Sequence, residues 1–339
     1  MISTIRKDPF MANPDNKKLL ILYVLEILKD YSDEDHPLQQ KEIADKIFAR
    51  YGMDCERKAV AANINCLEDF GYDIERVKNK GVYLGEREFE PSEIAFLVDS
   101  VFSSKIINAK QSRELAEKLY RPLSIRQRKT FNYIYKADEI SRTDNNLIFY
   151  NIEVIKSAIE QGKKVEFDYN SYTLKKETET KKRIVSPYFM INSQGKYYLV
   201  GTFRKDWGLT NFRIERMTGI TVSEEKAEPI ESVKGYENGV DIAEYANENI
   251  YAFGGESVKA TLKLTGDYIV NAVYEWFDAR ANVYERDGEI FATVCANERA
   301  LIYWCMQYGE SVELLSPAKT RKKLYEIVSS MKARYEKNV

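Results

Sequence analysis

Apolar and polar positions repeat with two different periods along this chain, and the change of period divides it into regions. Over residues 16–70 the apolar residues recur every three or four positions, which is typical of amphipathic helices. Over residues 164–222, and again over 258–315, apolar and β-branched residues alternate with polar ones in short runs bounded by Gly, Asn and Ser. The pattern therefore predicts a multidomain α+β protein.

Three predicted helices come first, over residues 16–31, 39–51 and 54–70. Gly52 and Gly71 are expected to end the second and third helices, and Asp54 is expected to cap the start of the third. Two short strand signals follow, on either side of the turn Lys78-Asn79-Lys80-Gly81. Helices and hairpin in this order predict a winged helix-turn-helix, a DNA-binding module, over residues 16–88.

The third predicted helix is expected to be the recognition helix of this module, and the hairpin its wing. The predicted DNA contacts lie on the outer faces of the helices and at the wing tip: Gln40, Arg57, Lys58, Ala62, Asn63, Lys78 and Lys80. Acids and bases are nearly balanced in this region, so charge alone does not separate a DNA-binding face from an ordinary solvated surface. The order of the elements favours DNA binding.

Two further regions of the first half have no strand signal. Residues 1–15 show no periodicity and are expected to form a flexible arm. Residues 89–147 predict helices, the first of which begins at Pro91. Their apolar faces favour a helical linker that packs on a second copy of the chain, so a homodimer is expected.

The middle of the chain predicts one helix, over residues 148–161, followed by about five short strands. The helix is expected to end at Gly162, and the last strand lies near Val222. Five short strands suit a small barrel that closes its own edges.

A family resemblance lies in these strands. Gly195-Lys196-Tyr197-Tyr198-Leu199-Val200-Gly201 is preceded by Arg183-Ile184-Val185-Ser186-Pro187-Tyr188 and followed by Phe212-Arg213-Ile214-Glu215-Arg216-Met217. These residues resemble a WYL domain, with Tyr197 in the place of the family's tryptophan. The resemblance implies a small Sm-like β-barrel over residues 148–226, set behind a winged helix-turn-helix in bacterial transcriptional regulators. It also implies an arginine-lined groove that senses a nucleotide or nucleic-acid ligand.

The predicted ligand site consists of arginines and tyrosines of this stretch: Tyr169, Arg183, Tyr188, Tyr198, Arg204, Arg213 and Arg216. Arginine donates bidentate hydrogen bonds to phosphate and stacks on aromatic rings, and tyrosines add stacking faces and hydroxyl groups. The alternative is that the arginines only pair with neighbouring acids such as Glu166, Asp168 and Glu215. The match of Arg183, Arg213 and Arg216 to the family's basic positions favours a ligand site.

The last third of the chain begins with a polar connector over residues 227–255. Beyond it the order strand, helix, two strands, helix and strand, with a long terminal helix, predicts a ferredoxin-like C-terminal domain over residues 256–339. The stretch from Tyr308 to Pro317 resembles the C-terminal extension of WYL regulators. The recognition helix resembles theirs as well, although an Arg and an Asp often stand where Ala62 and Asn63 are.

The amino-acid composition excludes several classes of function. The net charge of −2 over 339 residues means that any nucleic-acid contact must come from a local patch. The chain shows no signal-peptide core and no apolar run near the ~20 residues that span a bilayer, so a cytoplasmic location without a membrane partner is expected. Four cysteines without a Cys-x-x-Cys pair, the single His36 and the absence of a Gly-rich phosphate loop predict no metal, no cofactor and no enzyme.

Two functions remain open. The first is a DNA-binding transcriptional regulator that acts as a homodimer on double-stranded DNA. Its WYL barrel would bind a small nucleotide or single-stranded nucleic acid and shift the population of dimer arrangements. The second is a WYL accessory protein that mainly binds single-stranded nucleic acid and uses the helix-turn-helix for dimerisation, which Ala61-Ala62 on the supposed DNA-contacting face favours. An enzyme acting on a nucleotide comes third.

Overall fold

The computed structural model describes residues 17–130, 145–172 and 178–336. The polypeptide divides into two compact units, residues Met1–Ser104 with Ala109–Ser141, and residues Lys105–Asn108 with Arg142–Val339. The first unit is helical with one small hairpin, and the second contains two antiparallel sheets, so the predicted mixed α+β class is confirmed. The predicted arm, residues 1–15, lies outside the described residues. No described helix is both long enough and apolar enough to cross a membrane.

The described part of the first unit contains six α-helices and a two-stranded hairpin. These elements are α1 (Leu20–Tyr31), α2 (Gln40–Tyr51), α3 (Arg57–Phe70), β1 (Ile74–Val77), β2 (Gly81–Leu84), α4 (Pro91–Ser103), α5 (Ala109–Leu119) and α6 (Ile125–Thr130). Helices α1, α2 and α3 enclose a core that includes Val24, Ile43, Val60 and Ile64, and the hairpin adds Val82 and Leu84 to it. We call residues 17–88 the N-terminal module.

Glycines end the second and third helices of this module, as predicted. Gly52 and Gly71 follow α2 and α3 with left-handed backbone angles, φ 69° and 111°, and donate N–H bonds back into the helix. The predicted cap by Asp54 is wrong. Helix α3 starts later than expected, with Glu56 at the N-cap position and no side-chain cap, because the chain stays extended through Glu56. Asp54 therefore lies two residues before the position from which a side chain caps a helix.

The hairpin is attached to the chain segment that precedes α2. Leu38 and Val82 exchange backbone hydrogen bonds of 2.8 and 2.9 Å, which form a single β-bridge at the edge of β2. Gly81 has φ +124°, and a Cβ atom built on it would lie 2.2 Å from the Leu38 carbonyl oxygen. Only glycine allows this approach of the two backbones.

The segment before α6, which is part of the predicted helical linker, is bonded to the N-terminal module. Arg87 fixes the connection, because its guanidinium donates to the carbonyl oxygens of Lys29, Ser32 and Pro122 at 3.0, 2.6 and 2.7 Å. The buried carboxylate of Asp33 accepts a hydrogen bond from the Ser124 hydroxyl at 2.8 Å. These bonds join the end of α1 to the segment before α6.

The described part of the second unit contains α7 (Ile148–Glu160), β3 (Lys163–Tyr172), β4 (Thr178–Ser193), β5 (Lys196–Thr202), β6 (Thr210–Arg213), β7 (Met217–Lys226), α8 (Ile242–Glu248), β8 (Ser257–Leu264), α9 (Tyr268–Phe277), β9 (Asn282–Arg286), β10 (Glu289–Asn297), α10 (Glu298–Gln307), β11 (Val312–Ser316) and α11 (Ala318–Glu336). The first five strands form one antiparallel sheet with the order β6-β5-β4-β3-β7. The next four form a second antiparallel sheet with the order β11-β8-β10-β9.

The five-stranded sheet is open. In the described part of the chain no ladder joins β6 to β7, so the predicted closed Sm-like barrel is not confirmed. A single 3₁₀ turn, Ile214–Arg216, leads from β6 directly into β7. Helix α7 packs on the sheet through Ile155 and Ala158, which are fully buried.

A bulge at Tyr188 divides β4 into two parts. Before the bulge Val185 pairs with Val165 of β3, and after it Phe189 pairs with Val200 of β5. Phe189 belongs to a separate apolar cluster that is covered by helix α8, whose Tyr245 ring lies 5.4 Å from that of Phe189. The sequence did not predict α8, because this helix of seven residues lies within the polar connector, residues 227–255.

The four-stranded sheet packs on α9 and α10 around the fully buried Trp304. Asn297 starts α10, since its side-chain oxygen accepts hydrogen bonds from the backbone N–H groups of Arg299 and Ala300, both at 3.1 Å. The element order strand, helix, two strands, helix, strand and helix is the predicted one. The ferredoxin-like assignment stays a prediction, as do the predicted domain boundaries.

Candidate nucleic-acid and ligand sites

Helix α3 presents two cations on its solvent face. Burial of Val60, Ile64 and Leu67 turns the opposite side of the helix outward, and Arg57, Lys58 and Ala62 are exposed there. Neither Arg57 nor Lys58 forms an ion pair with a described residue. Both cations are therefore available to an anion from solution.

The hairpin adds a second pair of cations to the same module. Lys78 and Lys80 are exposed at its tip, and neither pairs with a carboxylate in the described ranges. Strand β1 is fixed to α3 by Arg76, which donates to Asn65 at 2.8 Å and to both oxygens of Glu68 at 2.7 and 3.1 Å. This bidentate contact holds the hairpin in a defined position relative to α3.

The polar residues predicted to contact bases are less available than the cations. Asn63 is half-buried, and its amide donates to the Ala59 carbonyl oxygen of the preceding turn at 2.7 Å. Gln40 is half-buried at the start of α2, and Ala62 has no polar group. An Asn inside a helix often bonds to its own backbone in this way, a possibility that the sequence prediction of a base contact overlooked.

Arg183 and Arg204 lie beside aromatic rings of the β5–β6 hairpin. The guanidinium of Arg183 lies 5.5 Å from the Phe203 ring, and that of Arg204 lies 4.8 Å from the Trp207 ring. The two rings are 5.5 Å apart in an edge-to-face arrangement. We call these four residues the hairpin cluster. Trp207 is 63% exposed, and neither arginine pairs with a carboxylate among the described residues.

Arg213 lies on the other face of the sheet. Arg183 pairs with Phe167 across the β3–β4 ladder, and the Phe167 ring contacts that of Phe212 at 5.7 Å, so these three side chains share one face. Arg213 follows Phe212 in the strand and pairs with Tyr198, so its side chain points to the opposite face.

Arg213 is neutralised by an acid, as the alternative interpretation of the arginines expected. Its Nε donates to Oε1 of Glu215 at 2.6 Å, and Glu215 is 8% exposed. Arg216 is half-buried and forms no ion pair within the described residues. Burial raises the pKa of the Tyr198 phenol, and the positive charges of Arg213 and Arg216 oppose that rise. We call Tyr198, Arg213, Glu215 and Arg216 the Arg213 cluster.

The two remaining tyrosines of the predicted site have structural contacts. Tyr169 packs against Phe212, with centroids 5.6 Å apart, and its hydroxyl oxygen accepts the Arg213 backbone N–H at 3.2 Å. The Tyr188 hydroxyl donates to the Glu228 carbonyl oxygen at 3.0 Å. Burial, together with the charge of Glu228, raises the pKa of Tyr188 to about 12, so this phenol stays neutral at physiological pH. The structure thus divides the predicted ligand site into two clusters.

Phe203 and Trp207 were not among the predicted ligand residues. Their spacing on either side of Arg204, at i−1 and i+3, is a signal in the sequence that could have identified them. The exposed Trp207 ring can stack on a base, and the guanidinium groups of Arg204 beside Trp207 and of Arg183 beside Phe203 can bind a phosphate. No group of three or more His, Cys, Asp and Glu side chains within the described ranges is placed to hold a metal ion.

Residues 150–222 match the family model described as WYL domain. The chain therefore contains a WYL domain, which covers most of α7, all of β3 to β6 and part of β7. Both the hairpin cluster and the Arg213 cluster lie within it.

Two solved structures are similar to this chain. The proteasome accessory factor B/C (PafBC) of Arthrobacter aurescens is 19% identical, with a TM-score of 0.28, and the match covers 93% of this chain and 48% of that one. A CRISPR Cas-related protein is 15% identical, with a TM-score of 0.38, and the match covers 100% of this chain and 89% of that one. The chain thus spans about half of the PafBC chain that it matches. No curated protein sequence gives a significant match.

Proposed function

We propose that this protein is a DNA-binding transcriptional regulator whose WYL domain binds a nucleotide or single-stranded nucleic acid. The N-terminal module acts as a winged helix-turn-helix, with α3 as recognition helix and the β1–β2 hairpin as wing. Two copies form a homodimer in the cytoplasm of a bacterium and bind a two-fold operator. The chain performs no catalytic step.

The observation that favours DNA binding most strongly is the set of exposed, unpaired cations on one small module. Arg57 and Lys58 on α3, and Lys78 and Lys80 on the hairpin, have no carboxylate partners among the described residues. Since the whole chain has a net charge of −2, duplex DNA in this proposal is contacted by these four side chains and not attracted by the charge of the chain as a whole. Each contact between such a cation and a phosphate releases counterions, which is the main source of affinity for duplex DNA.

Ligand binding by the WYL domain is supported by the hairpin cluster. Arg183 and Arg204 lie over rings, and Trp207 remains exposed, so a base and its phosphate could be bound together. A ligand that binds one dimer arrangement more tightly than another would change the spacing of the two recognition helices, which must match half-sites about one helical turn apart. In this proposal the five-stranded sheet is an Sm-like unit, and residues 256–339 are a ferredoxin-like extension.

The test is binding of a labelled random duplex to the full-length protein, measured by fluorescence anisotropy at two salt concentrations. Reversal of charge by Arg57→Glu with Lys58→Glu is expected to reduce duplex affinity roughly tenfold or more at low salt. The double variant Lys319→Glu with Lys322→Glu, on exposed positions of α11, changes the net charge equally and is expected to retain binding. Equal losses in both double variants would show that only net charge matters, and the proposal would fail.

One observation favours the second function, an accessory protein that mainly binds single-stranded nucleic acid. On α3 the two residues predicted to contact bases offer little for base recognition, because the Asn63 NH₂ group donates to the Ala59 carbonyl oxygen and Ala62 has no polar group. Under this alternative the charge reversal on α3 leaves binding of a single strand unchanged, and duplex binding is weak from the start. Replacing Arg183 and Arg204 with Gln would then abolish the main activity.

A further inference from the structure

A second group of aromatic rings with one cation lies in the second unit, outside the WYL domain. Phe253 lies 6.0 Å from Tyr251 and 5.5 Å from Tyr303 of α10, measured between ring centroids. Tyr251 also contacts Trp276 at 5.1 Å. Tyr251, Phe253 and Trp276 pack on the core of the four-stranded sheet, whereas Tyr303 is 44% exposed. The group therefore extends from the core to the surface.

These rings border a shallow depression of about 370 Å³ that is lined by Tyr251, Phe253, Tyr303, Met306 and Gln307. We call it the α10 depression. Its volume lies at the lower end of the range of small-molecule sites. The Tyr251 hydroxyl donates to Oε1 of Gln307 at 2.7 Å, so the Gln307 NH₂ group is left to donate to an acceptor on a base edge.

Arg299 lies beside two of the rings that line this depression. Its guanidinium lies 4.7 Å from the Phe253 ring and 5.7 Å from the Tyr303 ring, and it forms no ion pair among the described residues. The positive charge of Arg299 beside the rings repels a second cation, so an ammonium ligand is disfavoured. The same guanidinium can donate two parallel hydrogen bonds to a phosphate. The α10 depression therefore suits a ligand that has a planar ring with an attached anionic group.

The chain places this depression next to the start of β6. A Cβ atom on Gly254 would lie 2.4 Å from the Leu209 carbonyl oxygen, and the Asn211 amide donates to the Ala252 carbonyl oxygen at 2.9 Å. Phe253 thus belongs to a segment that runs along the residues just after the hairpin cluster. At ~3.5 Å per residue, Leu209 lies within about 7 Å of Trp207 along the backbone.

We propose that the α10 depression binds one nucleotide unit, with the base against Tyr303 and Phe253 and the phosphate on Arg299. The proposal rests on the proposed function for the class of ligand, but it assigns a site that is separate from the hairpin cluster. The nucleotide unit is either a free mononucleotide or part of a single strand that also contacts the hairpin cluster.

The test uses the full-length protein and a labelled oligothymidylate of about 12 nucleotides, followed by fluorescence anisotropy. Tyr303→Ala is expected to weaken binding roughly five- to 100-fold, the effect of losing one stacked base, without changing the salt dependence. Arg299→Gln is expected to weaken binding and to lower the slope of log affinity against log salt by about 0.7, the effect of losing one phosphate contact.

Matched control substitutions are available in the second unit. Tyr325→Ala removes another exposed tyrosine, on α11, and Arg280→Gln removes an exposed arginine that pairs with Asp278. Both are expected to bind like the wild type, and thermal melting of all variants checks that they fold. Competition by unlabelled AMP and dTMP separates the two sources: displacement identifies a free nucleotide, and its absence identifies a strand, provided that Tyr303→Ala is impaired.

The binding measurements distinguish failure of the α10 site from failure of the proposed function. If Tyr303→Ala and Arg299→Gln bind like the wild type while Arg183→Gln with Arg204→Gln is impaired, the α10 site is wrong and ligand binding by the WYL domain stands. Impairment only in the α10 variants supports the α10 site and overturns the role of the hairpin cluster. A wild-type protein that binds neither the strand nor the mononucleotides overturns both.

Discussion

The carboxylate of Glu215 accepts a hydrogen bond from Nε of Arg213 at 2.6 Å, and its second oxygen, Oε2, is buried without a hydrogen-bond partner among the described residues. Arg216, the next residue in the chain, has no carboxylate partner in the described ranges. One of the two arginines in this turn is thus neutralised and the other is not. Binding of an anion to Arg213 has to compete with Glu215.

Replacing Glu215 with Gln is therefore expected to strengthen binding of an anionic ligand. The amide keeps the shape of the side chain but no longer neutralises Arg213, so affinity for a labelled single strand should rise several-fold at low salt. Anisotropy titrations of the full-length protein measure this change. Glu225→Gln, which removes an exposed acid paired with Lys164, is the control. Unchanged or weaker binding by Glu215→Gln would show that Arg213 takes no part in ligand binding.

The close contact between Gly81 and Leu38 predicts a large effect of a single methyl group. Gly81→Ala places a Cβ atom 2.2 Å from a backbone oxygen at φ +124°, and we expect it to destabilise the N-terminal module by about 3 kcal/mol. Gly52→Ala, at φ +69° with no atom within 4 Å of the added carbon, should cost only about 1 kcal/mol. Urea unfolding followed by circular dichroism compares the two. Similar losses in both variants would contradict a role for the Leu38–Val82 bridge.

Arg87 is expected to be irreplaceable by lysine. Its guanidinium reaches three carbonyl oxygens, of Lys29, Ser32 and Pro122, and burial lowers its pKa without removing its charge at neutral pH. A lysine ammonium cannot span the same three acceptors, so Arg87→Lys should cost about 2 kcal/mol of unfolding free energy. Arg126→Lys, at an exposed position of the same unit, should be neutral. Equal stabilities of the two variants would refute this account of Arg87.

Because the pKa of the Asp33 carboxylate is shifted by folding, the stability of the fold is expected to depend on pH. Burial disfavours its charged form, but hydrogen bonds from Ser124 and His36 outweigh that effect and lower its pKa below the usual 3.8. Because the folded-state pKa is lower than the unfolded one, the carboxylate stabilises the fold above about pH 4, and this contribution is lost as the pH falls further.

Asp33→Asn should accordingly be less stable than the wild type at pH 7, by about 1–2 kcal/mol, and the difference should shrink at pH 3. Thermal unfolding at the two pH values tests this expectation. Asp35→Asn, at an exposed neighbouring position, serves as the control. A difference between wild type and Asp33→Asn that stays constant with pH would mean that the charge of Asp33 is not involved.

The positions of most elements followed from local patterns. Gly52 and Gly71 end helices because a left-handed backbone angle stops the helical ladder, and this preference belongs to the residue itself. Helix α8 was missed because a short, polar helix has no apolar period of its own. Its formation depends on Tyr245, which packs on Phe189 and donates to Asn211 at 2.8 Å, contacts that bring together distant parts of the chain.

For the candidate sites, too, some features followed from the sequence and others only from the tertiary structure. The sequence by itself determined which residue types are present, their helical or alternating period, and hence the cations of α3 and the arginines of the WYL domain. Only the tertiary structure decided that Arg213 is neutralised by Glu215 while Arg183 lies over Phe203 on the opposite face, and that Arg299 meets Phe253. Strand register, the bulge at Tyr188 and the approach of Gly254 to Leu209 set these neighbours. The Arg183–Phe203 and Arg299–Phe253 contacts join residues far apart in the chain, and no local pattern encodes them. Arg213 and Glu215 are only two positions apart, but it is the 3₁₀ turn Ile214–Arg216 that brings their side chains together.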